Sequence, residues 1–192
     1  MKMSDKRTDV MQAALELIAE HGFHGAPMAT IAQEAGVAAG TIYRYFASKD
    51  VLISELYGEL EGKLIATLQA DYSVERPFRE SFIHLGTSLL RYFIEHPLHF
   101  RYIEQYHNSP YGASLRRERL LGKTTEHNNI FKEFFERGIA QQVLKDLPLT
   151  AIFALAFGPL LSLARDHILG FVVLDNVLIE EIVAACWDGI KR

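Results

Sequence analysis

Apolar residues recur three and four positions apart along most of this chain, and that spacing constrains its fold more than any other feature. Near the N-terminus Val10, Ala13, Ala14, Leu17 and Ile18 follow it over two turns, and one face of an α-helix gathers residues spaced in this way. No stretch alternates apolar and polar residues cleanly between turn signals, so the sequence predicts no β-sheet. The predicted fold class is therefore all-α.

Caps, prolines and glycines divide the chain into predicted helices. Ser4 and Ser48 are predicted N-caps, because their hydroxyls accept from free backbone N–H groups, and Gly22 and Gly36 are predicted stops. Prolines 77, 97 and 148 stand where a first helical turn accepts them. The predicted helices cover residues 5–21, 28–35, 39–46, 49 onwards, 77–95, 97–107, 120–139, 148–167 and 177–191.

Composition places the chain among soluble globular proteins, with 49% hydrophobic and 23% charged residues. Cys186 is the only cysteine, so no intrachain disulfide forms and a cytoplasmic location is predicted. The charged N-terminus does not resemble a secretory signal. Metal ligands at a recognisable spacing, a Gly-rich phosphate loop and a serine nucleophile motif are lacking, so the sequence predicts no metal, no cofactor and no enzymatic activity.

The net charge of −4 counts against a general nucleic-acid binder, which is usually basic. Residues 1–50 hold five Lys or Arg and six Asp or Glu, a net charge of −1. No acid stands between Glu34 and Asp50, however, and Arg44 and Lys49 lie in that interval. The sequence therefore predicts a small set of DNA contacts and weak non-specific binding.

The second and third predicted helices are joined by a tight turn at Gly36-Val37, which is the layout of a helix-turn-helix. Residues 31–50, IAQEAGVAAGTIYRYFASKD, closely resemble the DNA-binding domain of the tetracycline-repressor (TetR) family of bacterial regulators. Ile-Ala, Ala-Gly-Val, Gly-Thr-Ile-Tyr, Tyr-Phe and the lysine all occur at the family's spacing. The resemblance covers about residues 8–56, and the rest of the chain agrees with the family in length and helical content.

The resemblance implies that positions 39–41 and 43 read bases, while positions 44, 45 and 49 mainly hold the DNA backbone. Gly40 carries no side chain, which lets the third helix approach the DNA closely, and Thr30 offers a hydroxyl on the second helix. For Tyr43 and Tyr45 the alternative role is to pack against other side chains of the protein. For Lys49 the alternative is a solvated side chain at the helix start. The predicted DNA-binding residues are Thr30, Ala39, Gly40, Thr41, Tyr43, Arg44, Tyr45 and Lys49, with Ile42 and Phe46 as core.

Two positions depart from the family's pattern. Pro27 opens the second helix and Ala38 precedes the third, where the family often has a hydroxyl residue. Both hydroxyl contacts with phosphate are lost. An N-terminal arm carrying Lys2, Lys6 and Arg7 is predicted to supply part of the affinity, with disorder of that arm as the alternative.

Residues 147–164 form a run of 18 positions without a charge. A membrane span needs about 20 mostly apolar residues, and this run is shorter and interrupted by Pro148 and Pro159, so it predicts a helix covered by protein and no membrane partner. Pairing with a second copy predicts a homodimer through an intermolecular four-helix bundle, with burial inside one subunit as the alternative. The predicted interface comprises Phe153, Phe157, Leu160, Leu161, Ile179, Ile182, Val183 and Trp187.

Aromatic residues crowd the middle of the chain, and apolar rings with a few polar groups typically line pockets for small molecules. The family resemblance also implies an effector domain in this part. Membership of the protein core is the alternative for each ring. The predicted pocket residues are Phe82, Tyr92, Phe93, Phe100, Tyr102, Ile103, Tyr106, His107, Phe131, Phe135, Phe153 and Phe157.

Together these features predict a helix-turn-helix domain over residues 1–48 and a helical effector-binding and dimerisation domain over residues 49–192. The predicted function is a homodimeric TetR-type repressor that binds double-stranded operator DNA at an inverted repeat. A small apolar or amphipathic effector would release it. The alternatives are a helical ligand-binding or adaptor protein without specific DNA binding and, less favoured by the sequence, an enzyme.

Overall fold

The computed structural model describes residues 6–120 and 130–192. Within these residues the chain forms ten α-helices and no strand beyond an isolated bridge between Leu144 and Lys191, which confirms the all-α prediction. The helices are α1 (Lys6–Gly25), α2 (Met28–Glu34), α3 (Ala39–Tyr45), α4 (Lys49–Gln69), α5 (Phe78–Glu95), α6 (Pro97–His107), α7 (Pro110–Leu120), α8 (Ile130–Ala140), α9 (Leu149–Ile168) and α10 (Asn176–Ile190).

The predicted boundaries of α2, α3, α5, α6, α9 and α10 agree with the structure to within one residue. Gly22 interrupts α1 with a φ of 74°, a left-handed conformation that favours glycine, so the predicted stop is confirmed. The backbone N–H of Val51 donates to Ser48 Oγ at 3.3 Å, which confirms the cap before α4. The predicted cap at Ser4 lies outside the described residues.

The sequence prediction missed α7 and placed one helix over residues 120–139, of which the described residues contain α8 from Ile130 onwards. Ser109 Oγ accepts from the backbone N–H of Tyr111 at 3.2 Å, and Pro110 occupies the first helical position. A serine followed by proline is a common helix start, so the signal for α7 was present in the sequence. The predicted segment 121–129 lies outside the described residues.

The first of two compact units contains α1 to α3, α4 up to Lys63, and α6 with α7. Its helices α2 and α6 pack on α1, and α3 packs on α2. The buried side chains Ile18, Ile31, Ile42 and Phe46 come from four successive parts of the chain and form its core. The three predicted N-terminal helices therefore share a core with two helices from the middle of the chain.

The second compact unit contains the end of α4, α5, and α8 to α10. Helix α5 packs against α9 and α10, and α8 packs against α9. The Phe82 ring on α5 lies 5.8 Å from Phe157 on α9 and 5.6 Å from Trp187 on α10. Each unit groups residues that contact one another, and its boundaries do not mark a function. The predicted functional boundary after residue 48 therefore stays a prediction.

Candidate nucleic-acid interface

Helices α2 and α3 are joined by a tight turn that the backbone fixes. Gly36 has a φ of 63° in the left-handed region, and the N–H of Val37 donates to the carbonyl of Ala32 at 2.9 Å. Ile31 and Ala32 of α2 are buried together with Ile42 of α3 and with Phe46. The core roles predicted for Ile42 and Phe46 are confirmed, and they determine which side of α3 faces outward.

The outward side of α3 presents aromatic and polar groups. Tyr43 is 56% exposed and Tyr45 is 38% exposed, so neither ring is a core residue, and the packing alternative is wrong for both. Arg44 is exposed beside them, and Thr41 is partly exposed. Gly40 has no atom within 4 Å of where a Cβ would lie. This side of α3 therefore offers hydrogen-bonding groups around an unobstructed helix start.

Pro27 and Ala38, the two residues that depart from the family's pattern, have no hydroxyl that could cap a helix. Both residues occupy N-cap positions, of α2 and α3 respectively, and neither makes a side-chain capping hydrogen bond. Thr30, one turn into α2, is exposed. Its hydroxyl is therefore accessible on α2, whose N-cap residue Pro27 has no hydroxyl.

Lys49 is directed differently from the other predicted contact residues. Its ammonium donates to the backbone carbonyl of Phe23, at the end of α1. Burial lowers the pKa of Lys49, and the neighbouring Asp50 carboxylate opposes that shift. An ammonium has three donors, so the bond to Phe23 leaves capacity for a phosphate. Its role in DNA binding stays a prediction.

Two basic residues of the N-terminal arm, Lys6 and Arg7, have acidic neighbours. Arg7 Nη2 lies 2.6 Å from the Glu55 carboxylate, and its guanidinium lies 5.4 Å from the centre of the Phe46 ring. Lys6 lies 3.8 Å from Asp9, and Lys2 is outside the described residues. Arg7 therefore joins the start of α1 to α4 and covers Phe46, and its share in DNA affinity stays a prediction.

A shallow depression on α1 and α2 is lined by acids. Asp9, Gln12 and Glu16 of α1 face Glu34 at the end of α2 there. Carboxylates repel phosphate, so this side of the helix-turn-helix is unsuited to DNA. The acid-free side, which carries Tyr43 and Arg44, remains as the candidate nucleic-acid interface.

The predicted pocket residues are divided between the two compact units. In the first unit Tyr102 is fully buried and its hydroxyl donates to the Ile53 carbonyl at 2.8 Å. Tyr106 is buried and stacks on Tyr57 with ring centres 3.9 Å apart, and the His107 ring meets Tyr57 edge-on. Phe100 and Ile103 are also buried. Four of these five residues are buried in the core and His107 is partly exposed, and a ligand role for them stays a prediction.

The other seven predicted pocket residues belong to the second unit. Five are buried, namely Phe82, Tyr92, Phe93, Phe135 and Phe157. Phe131 is partly exposed and Phe153 is 40% exposed, and their rings lie 5.8 Å apart at a right angle. Of this group, Phe131 and Phe153 are the two that reach the surface, so they are the better placed to meet a molecule from outside.

The predicted dimer interface needs a correction. Phe157, Leu160, Ile179, Val183 and Trp187 are all at most 5% exposed within a single chain, so they fill its interior and cannot form an outer face. Leu161 and Ile182 are partly exposed, and Phe153 is exposed. Helix α9 is apolar nearly all round, and periodicity therefore could not select its outer side.

The apolar surface of this region lies elsewhere on α9 and in the loop after it. By length and composition helix α9 could cross a membrane, which is weak evidence for a span. Of its most apolar stretch of 18 residues, 28% is buried. Leu155 is 49% exposed, Phe171 79%, Val173 80% and Val177 67%. Exposed apolar patches of this kind commonly mark interaction surfaces.

Two contacts that sequence reasoning missed hold the helix-turn-helix from outside. The Tyr111 hydroxyl donates to Asp50 Oδ1 at 2.6 Å, and Gln105 Nε2 donates to the Ala19 carbonyl at 3.2 Å. The partners are 61 and 86 positions apart in sequence. No local spacing signals a contact over such separations.

Comparison with known proteins gives matches along almost the whole chain. Residues 10–56 match the model described as bacterial regulatory proteins of the tetR family, and residues 77–191 match the tetracyclin repressor-like C-terminal domain. An HTH-type transcriptional regulator of Haemophilus influenzae is 24% identical over 98% of this chain and 97% of its own length.

Two further similarities cover different shares of the chain. The structure of a TetR family protein from Vibrio parahaemolyticus is 31% identical, covers 98% of this chain and 100% of its own, and has a TM-score of 0.76. The fatty acid metabolism regulator protein of Bacillus subtilis is 40% identical over 81 residues, which are 41% of this chain and 42% of that protein.

Proposed function

Because this chain belongs to the TetR family of bacterial transcriptional regulators, with its DNA-binding helix-turn-helix, we propose that it is a homodimeric repressor released from its operator by a small ligand. The observation that carries the proposal is the outer side of α3, where Tyr43, Arg44 and Tyr45 are exposed and the helix start at Gly40 is open. Related proteins are named as transcriptional regulators rather than enzymes, which disfavours the enzyme alternative.

The two α3 helices of a dimer would enter successive major grooves. Their half-sites would form an inverted repeat with centres about 34–36 Å, or a multiple, apart. Thr41 and Tyr43 have hydroxyls that can meet base edges, while Arg44 and Tyr45 suit phosphates, which fix register without reading sequence. A close approach of the helix-turn-helix to the DNA from the same side would be aided by Thr30, Ala39 and Gly40.

The proposed contact set is poor in positive charge. Within residues 24–50 Arg44 and Lys49 are the only Lys or Arg, and the Lys49 ammonium bonds to Phe23. Each phosphate that a protein neutralises adds about 0.9 to the salt slope of its DNA affinity. We therefore expect a shallow slope, with specificity that comes from hydrogen bonds and shape.

A second copy of this chain is the proposed occupant of the apolar surface on α9. Leu155 is exposed on that helix, and the loop that follows adds Phe171 and Val173. Glycine and proline at positions 158 and 159 keep part of the exposed surface flat, so two α9 helices can approach closely. The dimer face thus moves from the residues predicted by the sequence to this outer side.

The effector is proposed to be apolar or amphipathic, because the second unit is dominated by aromatic rings and Phe131 and Phe153 reach its surface. A relative named for fatty acid metabolism is consistent with that class. We place the protein in the cytoplasm, where DNA is found. An adaptor without specific DNA binding is the alternative, favoured by the lost hydroxyls at Pro27 and Ala38.

The DNA proposal is tested with a duplex selected by the wild-type protein from a random-sequence library. Tyr43→Ala and Arg44→Ala are expected to weaken binding by about tenfold or more, since a good contact is worth about 1–3 kcal/mol. Arg116→Ala is the matched control, because Arg116 is an exposed arginine outside the helix-turn-helix. Fluorescence anisotropy measures the affinities. Failure to select any sequence would favour the adaptor, and unchanged affinity in both variants would remove α3 as the interface.

The dimer proposal is tested with Leu155→Asp, which introduces a charge on the outer side of α9. Light scattering should give about twice the 21.8 kDa chain mass for the wild-type protein and the chain mass for the variant. Val74→Asp is the matched control, because Val74 is an apolar residue that is 59% exposed between α4 and α5. A stable dimer of the Leu155 variant would refute this face.

A further inference from the structure

Tyr111 of α7 contacts both flanks of the helix-turn-helix. Residues 24–48 lie between Phe23, after the break in α1, and Asp50, in the first turn of α4. The Tyr111 ring meets the Phe23 ring at an edge, with centres 5.4 Å apart, and its hydroxyl donates to Asp50 Oδ1 at 2.6 Å. One side chain therefore joins the place where the motif begins to the place where it ends.

The position of Tyr111 is itself fixed by the corner between α6 and α7. Ser109 Oγ donates to the Tyr106 carbonyl at 2.7 Å and accepts from the Tyr111 N–H at 3.2 Å. A Cβ at Gly112 would lie 2.4 Å from the Tyr106 carbonyl oxygen, so only glycine allows this approach. The Tyr111 ring also stacks on Tyr106 with centres 6.0 Å apart. The phenol is thus held on a rigid corner.

Neighbouring contacts hold the same flank at Phe23. Lys49 donates to the Phe23 carbonyl, and the Tyr102 ring meets the Phe23 ring edge-on with centres 5.9 Å apart. Gln105 bonds to the carbonyl of Ala19, one turn earlier in α1. With Phe23 held on several sides, the bond from Tyr111 to Asp50 completes the connection between the two flanks.

We propose that Tyr111 is a positioning residue for DNA binding, which fixes the angle at which α2 and α3 are presented by joining Phe23 to Asp50. The inference rests on the proposed DNA-binding function and assigns Tyr111 no contact with DNA. A short bond from a hydroxyl to a carboxylate is strong and directional. Fixing the motif before binding lowers the entropy that DNA binding costs.

The bond is expected to matter more for DNA affinity than for stability. Asp50 is exposed, and Tyr111 is partly exposed, so water replaces the lost partner when the bond is removed. A role that only supported folding would lower the melting temperature in step with the affinity. A positioning role lowers the affinity while the melting temperature stays close to that of the wild-type protein.

The experiment uses the full chain, the duplex selected by the wild-type protein and a scrambled duplex of the same composition. Tyr111→Phe and Asp50→Ala are each expected to weaken specific binding by about fivefold or more. The double variant should bind no more weakly than either single variant, because both remove one bond. Asp50→Asn keeps an oxygen acceptor and should recover much of the affinity. Tyr72→Phe is the matched control, since Tyr72 belongs to the second compact unit.

A second pair of variants tests the corner between α6 and α7 and leaves the side chains of Tyr111 and Asp50 unchanged. Gly112→Ala should weaken specific binding at least as much as Tyr111→Phe, because the added methyl displaces α7 from the Tyr106 carbonyl. Gly58→Ala is its control, because a methyl there meets open space on α4. Circular dichroism and thermal melting accompany every variant.

The outcomes separate the two proposals. A wild-type protein that selects no duplex overturns the proposed function and the positioning role with it. Wild-type binding retained in full by Tyr111→Phe and Asp50→Ala overturns the positioning role alone. Additive losses in the double variant, or losses matched by falling melting temperatures, also overturn it.

Discussion

The two compact units of this chain are built with different aromatic residues. The first unit holds six of the eight tyrosines and three of the twelve phenylalanines, whereas the second holds two and nine. In the first unit the hydroxyls of Tyr57, Tyr102 and Tyr111 donate to Glu61, to the Ile53 carbonyl and to Asp50. In the second unit the rings of Phe82, Phe134, Phe135 and Phe157 contact one another without polar bonds.

The difference teaches how one all-α chain meets two requirements. A hydrogen bond fixes the direction of a side chain, so tyrosines hold helices at set angles. Contacts between phenylalanine rings depend on area and distance and tolerate repacking. The unit that must present α3 to DNA is held by directional bonds, while the unit proposed to accept an effector has a core that can adjust.

The largest effect is expected from Phe82→Ala, which removes the ring that touches Phe157 and Trp187. Truncating a buried phenylalanine lowers the free energy of unfolding by about 3–5 kcal/mol. Urea denaturation measures the loss. Phe171→Ala is the control, because that ring is 79% exposed. Equal losses in the two variants would contradict the core position of Phe82.

A smaller effect is expected from Phe82→Leu, which keeps most of the apolar volume. If the phenylalanine core repacks, the free energy of unfolding falls by less than about 1.5 kcal/mol. The same urea titration measures it. A loss as large as that of Phe82→Ala would show that this core depends on ring geometry, and the contrast between the units would disappear.

The counterpart in the first unit is Tyr102→Phe, which keeps the ring and removes the bond to the Ile53 carbonyl. We expect a loss of about 1 kcal/mol in the free energy of unfolding. Specific DNA binding should stay close to that of the wild-type protein, because the ring that contacts Phe23 is kept. A variant with wild-type stability would mean that directional bonds do not distinguish the first unit.

The smallest effect is expected at alkaline pH. The bond to Asp50 raises the pKa of Tyr111 to about 12, and burial raises the pKa of Tyr92 to about 12, from an ordinary value of 10.0. The folded protein thus holds these protons more tightly than the unfolded chain. Their contribution to stability is complete below about pH 10 and is lost as the pH rises to about 12.

Denaturation midpoints measured across that interval, with tyrosinate absorbance, test the alkaline prediction. Tyr111→Phe should show a smaller fall in stability between about pH 10 and 12 than the wild-type protein. An identical fall in both would contradict the contribution assigned to Tyr111.

The sequence allowed prediction of whatever depends on neighbours a few positions away. Ile42 and Phe46 are predicted as core because they lie four positions apart, on the inner face of the predicted helix 39–46, and the same spacing leaves Tyr43 outside. The capping role predicted for Ser48 needs only the backbone N–H of Val51, three positions further along the chain. Such features need only helical geometry, and they yielded the fold class and the candidate interface.

What the sequence did not reveal depends on distant partners. The pairing of Arg7 with Glu55 and the bond from Lys49 to Phe23 join residues 48 and 26 positions apart, and nothing local distinguishes those side chains from solvated ones. The outer side of α9 was misassigned because apolar residues surround that helix, so Leu160 and Leu155 look alike in sequence although one is 1% and the other 49% exposed.

The uncovered side of α9 also bears on gene dosage. If one chain completes its apolar surface only by meeting another, the active species forms by a second-order process, and its amount at low expression rises with the square of the chain concentration. A cell that makes half as much of this chain would then have about a quarter of the repressor in that regime. The exposed side chains of Leu155 and Phe171 would thereby give the regulated promoter a threshold that no contact with DNA supplies.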